Sequence, residues 1–245
     1  MAMTPYLDFN KTMNNLILQI DTSTTVCSVA LSENGQTVAV IDLDEPNAHA
    51  AKLTVLIEQI LDKTERSMRE LKAIAVSMGP GSYTGLRIGV STAKGLCYGL
   101  DIPLIAINTL EALFLGYKEQ FGLQEGEAFI PMLDARRMEV YSAVYNDQCK
   151  LVKPTSAEII DANYYDELLA AYSRVHLFGS GADKFDVLFA TNDRVHVQME
   201  FKGSAAFLSK LAFDKFQNKE FEDVAYFEPF YLKDFVVMTK KKGGS

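Results

Sequence analysis

The chain has 245 residues, is 48% hydrophobic and carries a formal net charge of −8, with a pI near 5.0. That length suits one large domain or two small ones with a sizeable core, and no apolar run reaches the length of a membrane span. Nucleic-acid binding needs a cationic footprint; the basic spots here are only Arg136-Arg137, Lys240-Lys241-Lys242 and scattered lysines, so a direct grip on RNA by this chain alone is not expected. Residues 1–15 lack the apolar core of a secretory signal. The three cysteines, Cys27, Cys97 and Cys149, are an odd number without metal-ligand spacing. Cys27 and Cys97 sit in apolar stretches, and buried free thiols in a reducing cytoplasm are the expectation.

In chain order, residues 16–20 read as an apolar strand, Asp21-Thr22-Ser23-Thr24 as a polar turn, and 26–31 and 36–43 as two further strands. Residues 48–63 carry Leu53, Leu56, Ile57, Ile60 and Leu61, the i, i+3, i+4, i+7, i+8 stripe of an amphipathic helix. His49 opens that helix and reads as a surface or capping residue. Residues 71–78 form a strand. Then six of the 15 glycines fall between Gly79 and Gly99. Gly79-Pro80-Gly81 is a loop, Ser82 or Thr84 can cap the following helix, and that helix spans 84–100. Gly85 and Gly89, then Gly95 and Gly99, are four apart inside it. Each glycine costs about 1 kcal/mol of helix propensity relative to alanine, so something must approach closely: a strand, a second helix or a ligand. A phosphate cradle at the helix start is one reading. The pattern is neither a P-loop nor GxGxxG, and tight packing competes with it.

The second half repeats the opening. Residues 129–133 are an apolar strand, Asp134-Ala135-Arg136-Arg137 a turn, and 138–145 a return strand. Asp21 and Asp134 thus hold equivalent places. Each can serve a ligand or simply accept N–H groups of its own turn, and Arg136 can neutralise Asp134 locally. Further on, 161–172 reads as a helix, 174–178 as a strand with His176 as a satisfied core histidine, Gly179-Ser180-Gly181 as a tight turn into a short helix, and 201–216 as a last helix. His49, His176 and His196 are far apart, and no catalytic residue or metal site emerges from local motifs.

Ile17-Leu18-Gln19-Ile20-Asp21-Thr22-Ser23-Thr24, the Gly79 to Gly95 run and Ala106-Ile107-Asn108-Thr109-Leu110-Glu111-Ala112 resemble the TsaB family, partners in making threonylcarbamoyladenosine in bacterial tRNA. The resemblance is specific over residues 16–114. It continues more weakly through Asp134, Gly179-Ser180-Gly181 and Pro229-Phe230-Tyr231-Leu232. It implies an α/β protein of the actin, heat-shock-chaperone and sugar-kinase fold, with two lobes at 14–110 and 111–235, each a mixed sheet with helices. Residues 1–13 and 236–245 are expected to be flexible. It further implies a cytoplasmic, non-catalytic subunit that activates a TsaD-type catalytic homologue. A TsaE-type ATPase is a further partner, the chain forms a homodimer when alone, and tRNA is contacted only indirectly. The partner surface is expected on the two first-lobe helices, at Leu53, Leu56, Ile57, Gly85, Gly89, Thr92, Ala93 and Leu96. Asp21, Ser23, Asp134, Gly179 and Gly181 mark a nucleotide cleft, with no cofactor on the chain by itself and ATP or ADP in the complex. The catalytic relative carries His-x-x-x-His where this chain has Asn108 and Ala112. The competing reading is a stand-alone small-molecule kinase or metallopeptidase of the same fold.

Overall fold

The computed structural model describes residues 14–45 and 47–232; the expectations for 1–13 and 236–245 lie outside them. Strands β1 (Leu16–Asp21), β2 (Val26–Glu33) and β3 (Gln36–Asp44) form an antiparallel meander. Helix α1 (His49–Lys63) follows, then β4 (Leu71–Gly79), α2 (Tyr83–Leu100) and β5 (Leu104–Asn108). β4 and β5 add in parallel on the other side of β1, giving the order β3-β2-β1-β4-β5. After α3 (Thr109–Phe121) the plan recurs with β6 (Glu127–Asp134), β7 (Glu139–Asn146), β8 (Leu151–Ile159), α4 (Asp166–Ala171), β9 (Arg174–Phe178), α5 (Asp186–Phe189) and β10 (Val195–Gln198). The second sheet runs β10-β9-β6-β7-β8, which is the first order repeated. Two lobes of one topology are the actin-like fold.

Every residue of β1 is buried, because both faces of the first sheet are covered. Leu16, Leu18 and Ile20 meet the apolar stripe of α1 and the inner side of α2. Ile17 faces the other way, toward Ile105, Ile107, Ala112, Leu208 and Ala212. The second sheet packs Ile130, Val175 and Leu177 under Tyr165, Phe185 and Phe189 on one side. Phe129 and Phe178 lie under Leu113, Phe114 and Tyr117 of α3 on the other.

After the second sheet the chain crosses back. It returns to the first lobe near residue 204, through a 3₁₀ turn (Ala205–Leu208) and α6 (Ser209–Asn218), which pack against the first sheet. A polar clasp holds this return. Ser28 Oγ donates to Asp42 Oδ1 (2.5 Å) and accepts from Ala205 N (2.7 Å). Ser204 Oγ donates to the same carboxylate (3.0 Å), and Thr37 Oγ1 bonds Ser209 Oγ (2.8 Å). The expected helix over 201–216 therefore starts later, and 201–204 is the crossing. The helix over 161–172 shortens to α4, with residues 162–165 in turns.

Candidate functional site

The glycine run and the Asp21 turn are one structure. Asp21 Oδ1 accepts from the backbone N and hydroxyl of Ser23 (2.9 and 2.7 Å), which fixes the turn. Ser23 O then accepts from Ser82 N at 2.7 Å, and Thr22 Oγ1 donates to Gly85 O at 2.8 Å. Ser82 caps α2 by accepting from Gly85 N at 3.3 Å. A methyl group at Gly81 would strike the Ser23 carbonyl, one at Gly85 the Thr22 carbonyl, and one at Gly89 the Thr22 hydroxyl. These glycines exist so that the β1–β2 turn can lie directly on α2. Of the three candidates for close approach, it is the strand hairpin that arrives. Gly95 and Gly99 are different: a methyl group at either would meet nothing within 4 Å beyond the helix's own backbone.

α2 is consequently two-sided. Gly85, Leu86, Gly89, Val90, Ala93 and Cys97 are buried. Thr84, Arg87, Ser91, Gly95, Tyr98 and Gly99 are exposed, Tyr98 at 86%. Residues 222–232 run back along one flank of the helix. Glu222 N donates to Leu104 O (2.9 Å) and Phe230 N to Met78 O (2.7 Å). Lys94 Nζ donates to the carbonyls of Ala225 and Phe227 (3.2 and 2.9 Å). Tyr231 lies against Tyr83 with ring centres 4.9 Å apart.

Of the residues expected to face a partner, Leu53, Leu56, Ile57, Gly85, Gly89 and Ala93 are instead inside the first lobe, at 5% exposure or less wherever an apolar side chain is concerned. The periodicity that marks a helix's apolar stripe marks the side its own sheet covers. Thr92 and Leu96 are half-buried. His49 is also buried, at 9% exposure, and makes no side-chain cap.

Asp134 ends β6 as Asp21 ends β1. Its Oδ1 accepts from Arg136 N (3.3 Å) and from Lys184 Nζ (2.5 Å). The neutralising cation is Lys184, reaching over from the second lobe's helical segment, and not the Arg136 side chain. Lys184 also donates to Glu139 O at 2.7 Å. Gly179 (φ +101°) sits against Met132 O and Leu113, and Gly181 against the Leu133 backbone. Their missing side chains again admit the chain's own backbone. At both hairpins the glycines thus lie against the chain's own backbone, and Ser23 N, Ser82 N and Gly181 N donate to groups of the chain itself.

At the start of α3, Asn108 Oδ1 accepts from Leu110 N and Glu111 N (2.9 and 3.2 Å) as an N-cap, and Ala112 is 3% exposed. Among the described residues no group of three or more His, Cys, Asp or Glu could hold a metal ion, and no helix is long and apolar enough to cross a membrane. Burial pushes the Cys27 thiol up to about 11 and the Cys97 thiol up to about 12. Neither is a thiolate at neutral pH.

Comparison with known proteins agrees with the fold and the motifs. The sequence model of the family described as "TsaD: tRNA N6-adenosine threonylcarbamoyltransferase" matches residues 45–237, and the chain belongs to this family. Curated relatives named "tRNA threonylcarbamoyladenosine biosynthesis protein TsaB" include those of Haemophilus influenzae, 37% identical over 130 residues (53% of each chain), and Escherichia coli, 37% identical over 129 residues (53% of this chain, 54% of the relative). The resemblance to TsaB stands on these sequences. The aligned part spans about half the length of those relatives. The structure of YeaZ from Pseudomonas aeruginosa superposes with a TM-score of 0.71 at 24% identity, covering 89% of this chain and 100% of that one, which speaks to the fold.

Proposed function

We propose that this chain is a cytoplasmic, non-catalytic subunit that activates a TsaD-type homologue for threonylcarbamoylation of the adenosine beside the tRNA anticodon. The observation that carries this is the start of α3. The resemblance places the catalytic relative's histidine pair at 108 and 112. Here Asn108 is used as a helix cap and Ala112 as a packing residue against the first sheet. Alanine offers no donor atom, and a lone amide already accepting two backbone N–H groups is a poor ligand for a transition metal.

The partner surface we assign is the outer side of α2, with Thr92 and Leu96 at its margin and Ser91, Gly95, Tyr98 and Gly99 along it. Leu53, Leu56, Ile57, Gly85, Gly89 and Ala93 act behind it by fixing α1 and α2 on the sheet. The same surface is assigned to a homodimer when the chain is alone. A TsaE-type ATPase joins the complex, any ATP or ADP belongs to the complex and not to this chain alone, and tRNA is reached through the partner. The net charge of −8 supports that last point.

Reconstitution tests the reading. The catalytic homologue with its ATPase, tRNA and the threonylcarbamoyl donor is assayed with and without this chain. The expected result is modification only when the chain is present, and none from the chain without the homologue. Equal modification without it, or phosphoryl transfer or peptide hydrolysis by the isolated chain, would overturn the assignment.

A further inference from the structure

The second lobe holds a hydrogen-bonded chain of titratable groups that the proposed function does not use. His176 on β9 is 8% exposed. Its Nε2 lies 2.6 Å from Glu127 Oε2 at the start of β6, and its Nδ1 lies 3.1 Å from the Tyr117 hydroxyl on α3. Glu127 is 9% exposed and Tyr117 4%. Phe129 stacks on the imidazole at 5.0 Å, and His196 on β10 meets it edge-on at 5.4 Å. Arg174, two residues back on β9, is the other charge that acts on the ring. The groups facing His176 are therefore one carboxylate, one phenol, one imidazole and one guanidinium, from four elements.

We propose that Tyr117–His176–Glu127 is an acid-sensitive lock: it fastens the C-terminal half of α3 to the second sheet while His176 is neutral and lets it go when the ring gains a second proton. With the ring neutral, Nε2–H donates to Glu127 and bare Nδ1 accepts the Tyr117 O–H, so every group is satisfied. Protonation puts a hydrogen on Nδ1, and two donors then face each other. The tyrosine oxygen can accept from Nδ1–H only if its own hydrogen turns away from the bond it made, and the rings of Phe121, Phe129, Phe178 and Phe201 pack around the phenol ring. A buried donor left without an acceptor is costly. α3 leads from the first sheet into the second lobe and touches both cores, so its loosening reaches beyond the lobe that holds the histidine.

Burial outweighs the attraction of Glu127 and holds His176 below its ordinary value near 6.5. The unfolded chain then binds the proton more readily than the folded one. The lock's contribution is complete above about pH 6.5 and is lost as pH falls from there toward the lowered folded-state value.

Amide hydrogen exchange on the full-length protein between about pH 7.5 and about pH 4.5 tests this. Protection factors at residues 117–121 should fall roughly tenfold or more over that range, while those of β1 hold. His176→Gln should remove the pH dependence. Because that variant is buried, Glu127→Gln provides the second test. It keeps an acceptor for Nε2–H but removes the negative charge, so the midpoint of the opening should move down by about one pH unit or more. Constant protection at 117–121 in the native protein, or a midpoint that stays or rises in Glu127→Gln, would overturn the proposal.

Discussion

Four glycines in one helix divide into two pairs with opposite consequences for substitution. Gly89→Ala and Gly95→Ala make the same chemical change in α2. Alanine is favoured in a helix by about 1 kcal/mol over glycine, and by itself this would stabilise both. At Gly95 the new methyl meets nothing within 4 Å beyond the helix's own backbone, so the propensity gain is realised. At Gly89 the methyl collides with Thr22 Oγ1, which is fully buried and donates to Gly85 O at 2.8 Å. Either the hydroxyl rotates away and a buried hydrogen bond is lost, at about 1–3 kcal/mol, or the hairpin lifts off α2, an overpacking strain of about 1–3 kcal/mol. Set against the propensity gain, Gly89→Ala comes out between roughly neutral and about 2 kcal/mol destabilised. Gly89→Leu gains less propensity, adds three more carbons at the same point and falls clearly on the destabilised side, by about 2 kcal/mol or more.

For a chain of this size about 1 kcal/mol shifts the Tm by roughly 2–4 °C. Thermal unfolding should therefore order the proteins Gly95→Ala above native, native at or above Gly89→Ala, and Gly89→Leu lowest. Size-exclusion chromatography below the transition should show Gly89→Leu associating as the native chain does, since position 89 faces Thr22 and not a neighbour. A Gly89→Leu protein that melts like the native chain but loses association would refute this assignment, because Gly89 would then be at the partner surface. So would a Gly95→Ala protein destabilised as much as Gly89→Leu.

A thiol titration of the native protein should find Cys149, half-buried beside Lys118 Nζ at 3.2 Å, reacting well ahead of Cys27 and Cys97, with all three reacting once the chain is unfolded. Asn108→Ala removes the cap of α3 and should lower stability by about 1 kcal/mol in a denaturant titration; Asn108→Asp should retain most of it. Tyr98→Ala, at an 86% exposed position, should change the melting temperature little while weakening association with the catalytic homologue in a co-elution assay; unchanged co-elution would move the partner surface off the outer side of α2.

Most of the architecture was readable because its signals are local. The apolar strand of β1, the glycine punctuation before α2 and the stripe Leu53, Leu56, Ile57, Ile60, Leu61 each depend on neighbouring residues only. The elements that escaped are edges. β8 carries Lys153, Pro154 and Glu158 along a largely exposed strand, and β10 has only four residues. An edge strand needs no alternating apolar face and tolerates charge and proline, so its sequence does not separate from that of a loop. The start of α6 was misplaced for a related reason. Phe201 packs in the second lobe and Leu208 in the first, so apolar residues on both sides of a crossing imitate one continuous helix.

The site was harder to read because sequence spacing shows that something comes close without saying which side it comes from. Gly85 and Gly89 share a four-residue interval with Gly95 and Gly99, yet the first pair meets the Thr22 turn and the second meets open space. What distinguishes them is the tertiary pairing of β1 with β4, in register from Ile17↔Ala73 to Ile20↔Val76. That pairing brings the end of β1 level with the end of β4, and so sets the Asp21-Thr22-Ser23 turn on the first two turns of α2 and no further. Once this register is fixed, the length of the strand decides which glycines the hairpin uses. The glycines beyond its reach stay open on the outer side of the same helix, which is why the partner surface is assigned to the far part of α2, around Gly95 and Tyr98, rather than to its glycine-rich start.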